Sequence, residues 1–176
     1  MMTDRDAADS WVTDGPALLD GWLADGCHHY VLRVHIEDTD AGGIVYHANY
    51  LAFAERARSS YLRLIGINQE TALAGDTGPP LDGAMIVVRR LNIDYLKPAE
   101  LGAALRIETR MTALRGAAMQ LTQTIINFDN GHILARLLVD TVCVAASKDG
   151  GKRPRRIPSV VADRLRAAKP PDTATG

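Results

Sequence analysis

The 176-residue chain holds only two cysteines, Cys27 and Cys143, too few for a disulfide framework. Cys143 sits inside the apolar run TVCVAA, where a thiol behaves as a small hydrophobe. Aromatic residues make up 5% of the chain, and no apolar run approaches the length of a bilayer span. The opening residues MMTDRDAADSWVTDG are acidic and lack the basic start and apolar stretch of a secretion signal, so a reduced, cytoplasmic protein is expected. Charge of one sign is also missing. The net charge of -1 argues against a general nucleic-acid surface, and no nucleic-acid partner is expected.

What is present is ordinary globular material, 47% apolar and 23% charged, enough for one domain with a real core. Residues 1–28 are rich in Asp, Ala and Gly and read as a flexible or loosely docked extension, with PALLDGWLAD able to make a helical turn or two. Residues 29–168 carry the domain, and 169–176 read as a disordered tail. YVLRVHI (30–36) alternates like a strand. From Asn49 the period changes: Tyr50, Phe53, Ala54, Ala57, Tyr61, Leu64 and Ile65 recur at helical spacing, with Glu55, Arg56, Arg58 and Arg63 on other faces. Asn49 is a fair N-cap and Gly66 a good residue just past the helix end. Residues 66–83, with Pro79 and Pro80, form a loop that could cover a pocket.

Four strands follow, AMIVVRRLNIDYL, LRIETRMTAL, AMQLTQTIINF and HILARLLVDTVCV, and a short helix is expected near 160–167. Asn130-Gly131 is a two-residue hairpin signal requiring positive φ at both positions, and Arg115-Gly116 marks a second tight turn. Short connections make the sheet antiparallel, with one amphipathic helix covering a face. The fold class is α+β.

The chemistry concentrates in EDTDAGGIVYHANY, where acids meet Gly42-Gly43 directly before the helix. A carboxylate there can be a cap, a solvated turn, a metal ligand or a reagent. Capping fails on distance, because the helix begins about nine residues after Asp40. A calcium loop counted from Asp38 needs Glu at its twelfth position and meets Asn49 instead. Cys27, His28, His29 and His35 lack the second cysteine of a zinc finger, so no metal is expected. Gly42-Gly43 does not continue into a phosphate-loop signature, and no G-x-S-x-G elbow is present.

The stretch VHIEDTDAGGIVYHANYLAFAERARSSYL resembles the signature of the 4-hydroxybenzoyl-CoA thioesterase-like branch of the hotdog fold. More narrowly, it is similar to acyl-CoA thioesterases whose genes sit beside the Tol–Pal envelope system. The likeness runs on through VVRRLNIDYLKPAEL, MTALRGAAM and KRPRRIP, over about residues 29 to 165. It implies a curved five-stranded antiparallel sheet wrapped around one long helix, here about Asn49 to Ile65. It also implies a homodimer or homotetramer with active sites at the dimer interface, and a location in the cytoplasm or on the periphery of the inner membrane. The implied activity is hydrolysis of acyl-CoA to acid and CoA, with no cofactor. A non-catalytic acyl-CoA or acyl-carrier-protein binding partner of envelope machinery, or a hotdog dehydratase, is the alternative.

By this resemblance Asp40 is the catalytic acid and the backbone N–H of His47 meets the carbonyl oxygen. An aspartate of ordinary pKa, ~3.9, is ionised at neutral pH and can attack a thioester or activate a water. The His47 ring, Tyr46 and Asn49 are supporting candidates, and Gly42 and Gly43 allow the turn that aims Asp40. Asp38 reads as structural. For the CoA phosphates, Arg115 leads, followed by Arg89, Arg90 and the KRPRR run at 152–156.

Overall fold

In the computed structural model the residues described are 19–70, 78–146 and 151–169. Five long strands and two three-residue ones form a single antiparallel sheet: β1 Trp22–Ala24, β2 Cys27–Arg33, β3 Ala84–Tyr95, β4 Ala104–Arg115, β5 Ala118–Asn127, β6 Ile133–Ala146 and β7 Lys152–Pro154. Their spatial order is β1-β2-β4-β5-β6-β3, with β7 paired to β6. The long helix α1 (Asn49–Leu64) packs on the sheet, and α2 (Ser159–Ala167) lies near the end of the chain. The hotdog architecture expected from the sequence is present. The five expected strands are the five long ones, and the sheet is extended to seven by β1 and β7.

The two periodicities explain the layers. Along α1 the buried residues Tyr50, Phe53, Ala54, Ala57, Tyr61 and Leu62 repeat at three or four. Along the strands every second side chain faces them: Leu105 and Ile107 on β4, Leu121 and Ile125 on β5, Leu137 and Val139 on β6. Arg58, expected on an outer face, is instead buried, because it reaches a polar partner inside the sheet.

The end of α1 follows its sequence. Gly66 has φ +77, its N–H donates to Arg63 O, and the Ile67 N–H donates to Leu62 O, which closes the last turn in a Schellman motif. A Cβ at Gly66 would also meet Arg164 Nη1 of α2 at 2.7 Å. At the other end Ala48, not Asn49, is the N-cap residue, and it lies in the helical region with no side-chain cap. Asn49 is the first helical residue, and its side chain is engaged elsewhere.

Three local readings are corrected. The helical turns expected in PALLDGWLAD are replaced, among the described residues, by Leu19–Asp20 in a 3-10 turn and Trp22–Ala24 in β1. The strand expected at 30–36 runs from Cys27 to Arg33, and residues 36–38 form a 3-10 turn. The two-residue turn with positive φ at both positions occurs at Asp25-Gly26 (φ +50 and +65), between β1 and β2. Asn130-Gly131 instead lies in a five-residue connection where only Gly131 has positive φ. There the Asn127 side chain accepts from the Asp129 and Asn130 N–H groups and Gly131 N–H donates to Asn127 O, which widens the turn. The expected turn at Arg115-Gly116 is centred on Gly116-Ala117, since Arg115 pairs with Ala118. Most of residues 1–28, most of the 169–176 tail and the middle of the 66–83 loop lie outside the described residues.

Candidate active site

Residues 38 to 46 form a small hairpin standing directly before α1. Thr39 bridges Val45, Asp40 N–H donates to Ile44 O at 2.9 Å, and Tyr46 N–H donates to Asp38 O at 2.9 Å. Asp40 stands near its tip, solvent-exposed. Its Oδ1 accepts from the Gly42 N–H at 2.8 Å, an Asx-type turn that fixes the carboxylate, and its carbonyl accepts from Gly43 at 3.0 Å. Gly43, at φ +74, takes the left-handed position that the tight tip needs.

The hairpin is held from two sides. Asn49 Nδ2 donates to Asp38 O at 2.9 Å, tying it to the start of α1. On the other flank Val45 N–H donates to Ala99 O, Leu101 N–H donates to Gly43 O, and Ile44 bridges Glu100. Ala99 N–H in turn donates to Tyr50 Oη at 2.9 Å, so the β3–β4 connection, the hairpin and the helix start form one unit. Asp38 is the structural acid of the pair: it is 6% exposed, and its Oδ2 accepts the His35 N–H at 2.8 Å.

Tyr46 and His47 follow, their rings 4.3 Å apart between centroids and both residues exposed. The N–H groups of His47 and Ala48 meet no acceptor among the described residues. The carbonyls of the same two peptides are engaged: Tyr46 O accepts Asn49 N–H at 2.8 Å, and His47 O accepts Tyr95 Oη–H at 2.9 Å. Free N–H groups at a helix start carry partial positive charge and suit a developing oxyanion. No hydrogen bond joins Asp40 to His47 among the described residues. Sequence reasoning missed Tyr95 and Ala48; Tyr95 is simply the last residue of a strand, and nothing in its neighbours marks it.

Arg89, Arg90 and Arg115 come together. They line a cleft of about 520 Å³ with Gln120 and Asp140. Irregularities at Val88/Arg90 in β3 and Met111/Ala113 in β4 re-aim the strands there. The Asp140 carboxylate accepts from Gln120 Nε2 at 2.9 Å on the cleft wall. Alternation puts Arg90 and Tyr95 on opposite faces of β3. A second cavity of about 330 Å³ opens between α1 and β3, with Leu62, Ile86, Met119 and Leu121 as apolar walls and Glu55 and Gln69 at its polar edge.

Neither thiol is poised as a nucleophile. Burial pushes Cys27 up to about 11 and raises Cys143 as well. His28 is buried and held below its ordinary value, first by that burial. Among the described residues no group of three His, Cys, Asp or Glu could hold a metal ion, and no helix is long and apolar enough to cross a membrane.

Comparison with known proteins adds sequence and fold relatives. The family model described as the thioesterase-like superfamily matches residues 34–165. Over 133 residues the chain is 41% identical to acyl-CoA thioester hydrolase YbgC of Escherichia coli O6:H1, covering 75% of this chain and 91% of that one. It is 37% identical over 126 residues to acyl-CoA thioesterase YbgC of Haemophilus influenzae, covering 72% and 87%. A probable thioesterase from Bartonella henselae superposes with a TM-score of 0.65 at 34% identity, over 75% of this chain and 99% of that one. The 4-hydroxybenzoyl CoA thioesterase from Pseudomonas sp. strain CBS-3 shares the fold, with a TM-score of 0.66 at 18% identity over 78% of this chain and 98% of that one.

Proposed function

This chain belongs to the thioesterase-like superfamily, and on that premise we propose that it hydrolyses acyl-CoA thioesters to the free acid and coenzyme A, with Asp40 as the catalytic carboxylate. The observation that carries the reading is the unit formed by the Asp40 hairpin and the start of α1. A carboxylate fixed by the Gly42 N–H stands at one end, and two N–H groups without acceptors among the described residues stand at the other.

The chemistry follows from those groups. The thioester oxygen accepts from the His47 N–H, which stabilises the charge that develops when the carbonyl carbon is attacked. The Asp40 carboxylate either bonds to that carbon, giving a mixed anhydride that water then cleaves, or takes a proton from an attacking water. In both routes the C–S bond breaks and CoA leaves as its thiolate. No metal or cofactor enters. Tyr46 and the His47 ring border the reacting atoms, and Asn49 keeps the hairpin against the helix.

The arginine cleft suits the phosphates of CoA, and the apolar walls of the mixed cavity beside α1 suit the acyl group. Because Arg90 and Tyr95 face opposite ways, we infer that a second copy of the chain completes each site, in a homodimer or a pair of dimers. The finer kinship we propose is with thioesterases of the Tol–Pal envelope system, acting in the cytoplasm or at the periphery of the inner membrane, with acyl-carrier protein as a further acyl donor.

The test is release of free thiol from a panel of acyl-CoAs, from acetyl to palmitoyl and aromatic, by wild type and Asp40→Ala. Hydrolysis by wild type and its loss in the variant are expected. Equal thiol release by both proteins removes Asp40 from the mechanism, and no release from any thioester removes the activity.

A further inference from the structure

The hydroxyl of Tyr95 donates to the carbonyl of His47 at 2.9 Å. That carbonyl belongs to the peptide whose N–H is Ala48's, and the Ala48 N–H has no acceptor among the described residues. A hydrogen bond accepted by a peptide oxygen polarises the whole amide and strengthens its N–H as a donor, by about 10–30% per bond. The neighbouring peptide is treated the same way, since Tyr46 O accepts from Asn49 N–H while the His47 N–H is left open. Two consecutive amides at the mouth of α1 thus have occupied carbonyls and available N–H groups.

Tyr95 is well held for this task. Its ring meets the Tyr50 ring edge-on at 5.4 Å and the His47 ring at 6.5 Å, and Tyr50 is anchored by the Ala99 N–H. It is the last residue of β3, so a rigid sheet strand supplies the hydroxyl to the peptide just before the helix. At 46% exposure it is not needed as core, and a phenylalanine would fill the same space.

We propose that Tyr95 is a positioning residue for thioester hydrolysis: through the His47 carbonyl it fixes and polarises the Ala48 N–H, which joins the His47 N–H as a second donor to the oxyanion. The proposal rests on the thioesterase reading above. The hydroxyl touches no reacting atom and acts through one peptide.

The experiment uses Tyr95→Phe in the 176-residue chain, with steady-state kinetics on the best acyl-CoA of the panel. An effect confined to the transition state lowers kcat while KM stays within about twofold. Because the hydroxyl works through a peptide and removes no donor outright, a fall of roughly 3- to 20-fold is expected, below the ~100- to 1,000-fold cost of deleting an oxyanion donor. The second readout is the infrared stretch of a 13C-labelled thioester carbonyl bound to Asp40→Asn. It moves to lower frequency on binding, and adding Tyr95→Phe cancels part of that movement. A kcat equal to wild type, or an unchanged carbonyl stretch in the folded double variant, refutes the role of Tyr95 while leaving the thioesterase reading standing. Wild type that hydrolyses no acyl-CoA refutes both.

Discussion

Arg58 and Gln123 meet inside the core, the guanidinium Nη1 donating to Oε1 at 2.6 Å. Arg58 is 6% exposed and Gln123 1%. Gln123 Nε2 serves two further acceptors, Ala54 O on α1 and Thr109 Oγ1 on β4, while Arg58 Nη2 pairs with Glu55. One amide therefore joins the helix to two strands through three hydrogen bonds. Replacing it by alanine takes one hydrogen bond from the buried Arg58 guanidinium and one from the buried Thr109 hydroxyl, and opens a cavity. Gln123→Ala is expected to lose about 2–4 kcal/mol of stability, read as a lower midpoint in urea unfolding.

That network also marks where the sequence stopped being legible. The stripe of Tyr50, Phe53, Ala57 and Tyr61 announced α1 to within a residue, because apolar spacing records burial directly. Arg58 and Gln123 are polar by type, and only the presence of each inside the sheet makes the other's burial tolerable. No local pattern shows such a pair. The turns failed differently. Asp25-Gly26 and Asn130-Gly131 carry the same kind of signal, yet only the first makes the two-residue turn, because the Asn127 side chain accepts the Asp129 and Asn130 N–H groups and holds a wider turn. The Asp40 hairpin was legible as a motif, whereas the carbonyl contacts behind it depend on Tyr95, which comes from a strand some fifty residues away.

Asp38 and Asp40 should separate cleanly under substitution. Asp40 is exposed and its Oδ1 bonds only the adjacent turn, so Asp40→Ala should leave the melting temperature near that of wild type while thiol release falls by about 100- to 10,000-fold. Asp38 is buried and its carboxylate serves the His35 N–H, so Asp38→Ala should lose about 1–3 kcal/mol and lower the melting temperature. Comparing thermal unfolding with turnover for the two variants checks both. A stability loss in Asp40→Ala equal to that in Asp38→Ala would contradict the assignment.

His28 gives the fold a sensitivity to acid. Its Nε2 lies 2.6 Å from Asp20 O, and Nδ1 is buried without a partner among the described residues, so the neutral ring fits and the charged one does not. Burial lowers its pKa in the folded protein below the ordinary 6.5, with the neighbouring His29 adding to that and Asp20 opposing it. The sign is then fixed: the unfolded chain binds the proton more readily, so the stabilisation is complete above about pH 6.5 and is lost as pH falls toward the folded-state value. His29, lowered mainly by burial, contributes in the same direction. Urea unfolding at pH 7.5 and at about pH 5.5 should show lower stability in acid, by at most about 1.4 kcal/mol per pH unit for each such proton. His28→Gln should flatten the slope, and an unchanged slope would mean that the proton binds elsewhere.

The arginine cleft makes a claim about which half of the substrate it serves. Arg89, Arg90 and Arg115 are exposed around a cleft of about 520 Å³ whose lining includes no residue of the Asp40 hairpin. If they hold the phosphates of CoA, neutralising one weakens binding without altering the reacting carbonyl. Each arginine is solvent-screened, so a single Arg115→Gln should raise KM for acyl-CoA by roughly 2- to 5-fold with kcat unchanged, and more salt should shrink the difference. The same acyl group carried on N-acetylcysteamine, which has no phosphate, should be hydrolysed equally by variant and wild type. A variant impaired on both carriers would place Arg115 in the support of the reacting centre. One impaired on neither would leave the cleft without a part in substrate capture, and the phosphate contacts would then have to come from another basic stretch such as residues 152–156.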